Sequence, residues 1–73
     1  MTIDATAEPF SLTPRERQVL SLLAAGGTYR EIARNLGVSR HTVDTYLRRL
    51  RTKTGSANRT QLIMLAFRHG YLS

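Results

Sequence analysis

Apolar residues along this chain recur at intervals of three and four, and each such run begins just after a residue suited to start a helix. Residues 12–25, LTPRERQVLSLLAA, open with Thr13, Pro14 and Glu16. Thr13 can accept from free N–H groups, and Glu16 can reach back to the N–H of Thr13. Pro14 stands at the first helical position, where a missing N–H costs nothing. Val19, Leu20, Leu22 and Leu23 supply an apolar face, and Gly26-Gly27 ends the run. The same signal returns at Thr28 with Glu31, ahead of YREIARNL, which stops at Gly37. Ser39 starts a third helix running to about Thr54, with Gly55 beyond it. Asn58 with Gln61 starts a fourth, ended by Gly70. No stretch alternates with period two over a useful length, so no strand is expected. The pattern predicts an all-α, four-helix domain over residues 11–73 behind a flexible N-terminal tail, residues 1–10.

The second and third helices are separated only by Gly37-Val38-Ser39, a turn short enough to force a steep crossing, as in a helix-turn-helix. Ala33 is small where the two helices come closest, Gly37 can take the left-handed conformation, and Val38 plugs the gap beneath. At 100° per residue, Val43, Leu47 and Leu50 of the third helix cluster within about 60°, with Tyr46 at their edge, and must face the core. His41, Thr45, Arg48 and Thr52 fall on the opposite side, flanked by Arg40, Arg49 and Arg51.

Charge sharpens this picture. From Leu12 onward the chain carries eleven basic residues, ten of them arginine, against Glu16, Glu31 and Asp44. Such an excess on a small domain points to a polyanionic partner. It lies along the outward side of the helix that a helix-turn-helix inserts into the DNA major groove. The chain has no cysteine, so neither disulfides nor a cysteine zinc site can support the core. No apolar run approaches the roughly 20 residues of a membrane span, and MTIDATAEPF lacks the pattern of a secretion signal. His41 and His69 have no acid or thiol at catalytic spacing, and no phosphate-cradling loop or metal-ligand cluster is present. No enzyme activity, cofactor, metal or small-molecule ligand is expected. His41 reads as a DNA-facing donor, and His69 as a cation at the last helix's C-terminus.

The segments LTPRERQVL, AAGGTYREIARNLGVS, HTVDTYLRRL and NRTQLIMLAFRHG resemble the DNA-binding domain of the LuxR/NarL/GerE family of bacterial transcription regulators, over residues 12–71. The resemblance implies major-groove reading by the third helix and dimers on near-palindromic sites. It implies phosphate contacts at Arg30, Ser39, Arg40 and Lys53, and base contacts at Thr45 and Arg48. Together with the helical wheel, the expected DNA-facing set is Thr28, Arg30, Ser39, Arg40, His41, Asp44, Thr45, Arg48, Arg49, Thr52 and Lys53. The family's larger members join this domain to a receiver or ligand-sensing domain. Ten tail residues hold neither, and the start methionine favours a stand-alone cytoplasmic regulator over an excised domain.

Three positions depart from the family pattern: Asp44 where lysine is usual, Tyr46 where histidine is frequent, and Thr54 where leucine is usual. An acid facing phosphates is repelled, so Asp44 needs a reason. Either it pairs with Arg48, four residues on, in the favoured acid-first order and aims that guanidinium at a guanine, or it accepts from cytosine N4. The first is preferred.

The fourth helix has two apolar sides. Leu62, Leu65 and Ala66 suit the domain's own core, while Ile63, Met64 and Phe67 form a second stripe. An exposed apolar patch suggests a partner surface, and the resemblance places the family's dimer contact on this helix. Thr60, Ile63, Met64 and Phe67 are the expected interface of a homodimer that is weak without DNA. In the alternative, Phe67 folds back against Phe10. The expected function is sequence-specific double-stranded DNA binding as a dimer on an inverted repeat. The competing reading is a dimerising antagonist of a related regulator, without specific DNA reading, a possibility kept open by Asp44.

Overall fold

The computed structural model describes residues 10–71. Most of the expected tail, residues 1–9, lies outside the described residues, as do residues 72–73. Four helices follow one another: α1 (Pro14–Ala24), α2 (Tyr29–Leu36), α3 (Arg40–Thr54) and α4 (Arg59–His69). Their starts are where the capping residues place them. Thr13 Oγ1 accepts from the Glu16 N–H at 3.1 Å while Glu16 Oε1 accepts from the Thr13 N–H at 2.9 Å. Thr28 and Glu31 repeat this reciprocal pair for α2. Ser39 and Asn58 cap α3 and α4 through the N–H groups of Thr42 and Gln61. Each cap satisfies a donor that the helix itself leaves without a partner.

Between α2 and α3 the chain reverses on Gly37, at φ +70°. The Val38 N–H returns to the Ala33 carbonyl at 3.0 Å, closing the end of α2 and folding Val38 onto the core. Ala33 is buried at this crossing. Gly27 permits the other close approach. A Cβ there would stand 2.9 Å from the Leu22 carbonyl oxygen and 3.3 Å from Ile32 Cγ1.

Helices α1 and α3 form the centre, each packing on the other three elements, while α2 and α4 do not pack on one another. Val19, Leu20 and Leu23 from α1, Ile32 from α2, Val43, Leu47 and Leu50 from α3, and Leu62 and Ala66 from α4 close the core. Burying each leucine contributes about 1.5–3 kcal/mol. Tyr71, just past α4, is also buried, and its carbonyl accepts from Ser21 Oγ at 3.1 Å, holding the chain's exit to α1. At the other end Phe10, counted with the tail on sequence grounds, is half-buried and meets the His69 ring edge-on at 5.7 Å. It does not cover Phe67, which remains 57% exposed.

Candidate nucleic-acid interface

Helix α3 divides as its periodicity demands. Val43, Leu47 and Leu50 are wholly buried, and this fixes the helix in rotation. Arg40, His41, Arg48, Arg49, Thr52 and Lys53 are exposed, with Thr45 and Arg51 half-buried beside them. Thr45 and Thr52 each donate to the carbonyl four residues back, His41 and Arg48 respectively, both at 3.1 Å. That orients the hydroxyls and leaves their lone pairs as outward acceptors. With Arg48, Arg49 and Lys53 they line a shallow depression of about 370 Å³. This face thus offers polar and cationic groups on a helix whose opposite side is locked in the core.

Asp44 pairs with Arg48. Arg48 Nη2 donates to Asp44 Oδ2 at 2.6 Å, with the two side chains 62% and 40% exposed. The Arg48 hydrogen bond is the main reason the Asp44 carboxyl titrates below its usual range; Arg48, Arg51 and His41 add favourable fields against a smaller opposing effect of desolvation. The pair uses one edge of the guanidinium. Arginine carries five N–H donors, so the remaining ones stay available to a base or phosphate. This is the geometry expected if Asp44 orients Arg48.

Other expected contacts are distributed around this helix. Arg30 projects from the exposed side of α2, and Thr28, at the start of α2, has its hydroxyl engaged with the Glu31 N–H. Ser39 caps α3 and lies 3.0 Å from the Thr42 hydroxyl. Lys53 has a second task that sequence reasoning missed. Its Nζ donates to Glu16 Oε1 at 2.7 Å and to the Ser11 carbonyl at 3.0 Å. Two of its three protons are therefore taken by Glu16 of α1 and by Ser11 ahead of it, and one remains for a phosphate. Burial raises the Glu16 carboxyl's pKa, but the hydrogen bond and charge of Lys53 and the hydrogen bonds with Thr13 together outweigh it and hold the group below the usual carboxylate range. The capping box already explained Glu16 locally. The one hint of more was a lone lysine among arginines at the end of α3.

On α4, Met64 and Phe67 stand 55% and 57% exposed, and Thr60 is exposed as well. Ile63 differs from them. It is half-buried and packs against the core, so only part of the expected second stripe is free.

Comparison with known proteins gives a consistent result. Residues 10–66 match the family described as bacterial regulatory proteins, luxR family. The response regulator Rre1 of Synechocystis is 44% identical over 70 residues, which cover 93% of this chain and 30% of that protein. The transcriptional regulatory protein MctR of Rhizobium johnstonii is 42% identical over 62 residues, covering 85% of this chain and 29% of MctR. In crystals of a VqmA–ligand–DNA complex from Vibrio cholerae, the similar region superposes with a TM-score of 0.82 at 40% identity. It covers 93% of this chain and 30% of that one. The chain thus spans less than a third of the length of these relatives. Its four helices, its basic outward face on α3 and the match over most of its length agree: the chain belongs to the luxR family of bacterial regulatory proteins, DNA-binding helix-turn-helix transcription regulators.

Proposed function

We propose that the domain reads a specific duplex sequence in the bacterial cytoplasm by laying α3 in the major groove, with Arg48 as its central base contact. The observation that carries this is the Asp44–Arg48 pair at the middle of the outward face. A guanidinium held by a neighbouring acid loses less freedom on binding than a loose one, which suits bidentate recognition of guanine O6 and N7. Thr45 and Thr52 flank it as hydrogen-bonding neighbours, while Arg30, Ser39, Arg40, Arg49 and the remaining proton of Lys53 serve the phosphates.

Two copies meet through α4, where Met64 and Phe67 expose apolar surface that the domain's own core leaves uncovered. A two-fold contact there is isologous and places the two α3 helices in successive major grooves, about 34 Å apart. The patch is small, so the dimer forms chiefly on DNA. The similarity to VqmA, crystallised with DNA, supports the same partner.

The test is a selection on random duplex DNA, followed by titration of the recovered full site and its half-site. An inverted repeat with half-sites one helical turn apart is expected. Phe67→Glu should keep the helical circular dichroism spectrum, lose cooperative binding to the full site and retain weak half-site binding. Recovery of no consensus sequence would refute specific reading. Normal cooperative binding by Phe67→Glu would refute the α4 dimer.

A further inference from the structure

The first residues of α3 and α4 are both arginines, Arg40 and Arg59, and both line one open groove of about 420 Å³. Thr28 and Tyr29 form its wall at the start of α2, and Ile63 lies on its α4 side. A cation in the first turn of a helix is unfavourably placed, because the aligned peptide dipoles already make that end positive. Helices α1 and α2 carry Glu16 and Glu31 in their first turns, whereas α3 and α4 have no acid there. Neither Arg40 nor Arg59 has an ion-pair partner among the described residues, and both are exposed. Two like charges bordering one concave surface add mutual repulsion. An anion seated between them offsets both costs, and the planar fork of arginine matches a phosphate.

We propose that Arg59 and Arg40 together clamp one backbone phosphate of the DNA in this groove, so that α4 contributes directly to DNA binding. The inference rests on the reading of α3 as the groove-entering helix. Arg40 begins that helix, and a duplex receiving it presents phosphates along the groove edge beside it. The source of the phosphate is therefore the bound duplex. Arg59 was not among the contacts expected from the sequence, where it stood only within the segment NRTQLIMLAFRHG. The groove supplies its role by placing it on the same concave surface as Arg40, nineteen positions earlier in the chain. Through Ile63 it also adjoins the helix that carries Met64 and Phe67, so one α4 serves both DNA and partner.

The experiment uses a half-site duplex, on which dimerisation plays no part, and a random duplex of equal length. Affinity is measured across a salt series for wild type, Arg59→Gln, Arg59→Lys and Arg40→Gln/Arg59→Gln. Arg59→Gln should weaken binding to both duplexes by the same factor and make the log–log salt slope shallower by about one unit. The double variant should lose more affinity but still only about one unit of slope, since the two arginines share one phosphate, and Arg59→Lys should keep the wild-type slope. Because the cation opposes the helix dipole, Arg59→Gln should melt no lower than wild type, which separates a contact from a structural role. If Arg59→Gln matches wild type in affinity and slope while wild type binds, the clamp alone is wrong. If its loss comes with a lower melting temperature, the effect is structural and the clamp is wrong. Wild-type protein that binds no duplex would overturn the functional reading and the clamp with it. Finally, inorganic phosphate at millimolar concentration should raise the wild-type melting temperature by no more than it raises that of the double variant. If it raises the wild type more, the groove is a free-anion site and the assignment to DNA fails.

Discussion

Helix α3 enters two ion pairs of nearly equal length in opposite surroundings. Asp44 and Arg48 meet at 2.6 Å with both side chains in solvent. Glu16 and Lys53 meet at 2.7 Å, with the glutamate side chain only 3% exposed and the lysine 36%. The first lies within one turn of one helix. The second joins the start of α1 to the last turn of α3. Water screens the outer pair, so it adds little to stability and acts on the direction of Arg48. The inner carboxylate has given up its hydration and depends on Lys53 and the Thr13 N–H to replace it. The two acids have the same charge and nearly the same partner distance, yet in the function proposed above one serves recognition while the other holds the fold. Surroundings decide which.

The comparison breaks most visibly at Lys53. Lys53→Met leaves the Glu16 carboxylate buried with a single backbone donor and frees the Ser11 carbonyl. The domain should lose about 2–3 kcal/mol, a figure held down because the ammonium is partly exposed and screened. That corresponds to a fall of roughly 10–20 °C in melting temperature for a domain of this size. An unchanged melting temperature would show that the inner pair is as dispensable as the outer one.

Arg48→Ala tests the other side. It should cost about 1–2 kcal/mol in specific binding, the lower part of the range for a bidentate base contact because Asp44 already occupies one donor. Binding to random duplex and melting temperature should barely move. Equal losses on specific and random DNA would make Arg48 a phosphate contact instead.

Acid separates the pairs more finely. The Glu16 pKa is lowered in the folded state from its ordinary value of 4.5. Its ionised form therefore stabilises the fold fully above about pH 4.5, and that contribution is lost as pH falls through the lower folded value. Melting temperature should be flat from pH 7 to about 5 and then drop, and Glu16→Gln should remove part of the drop. Asp44 shifts in the same direction but is solvent-exposed. The smallest effect is expected there. Asp44→Asn should leave both the melting temperature and the acid profile close to wild type, while altering base preference opposite Arg48 in the selected site. A selected site unchanged by Asp44→Asn would show that Asp44 neither orients Arg48 nor reads a base.

The helices, and the inward and outward faces of α3, were legible in the sequence because the forces that set them are local. Thr13, Thr28, Ser39 and Asn58 cap N–H groups three residues away. The Asp44–Arg48 pair was legible for the same reason, since a helix brings residues four apart onto one face. The periodicity of Val43, Leu47 and Leu50 selects the buried side without reference to what covers it. What the tertiary structure alone decided are the meetings of distant segments. Lys53 turns to Glu16 and Ser11, Phe10 seats on His69, Tyr71 closes onto α1, Ile63 is half withdrawn from the expected partner surface, and Arg59 shares a groove with Arg40. Each depends on the angle and depth at which two helices dock. Those are set by the joint packing of side chains from all four helices, a quantity that no single stretch of the chain contains.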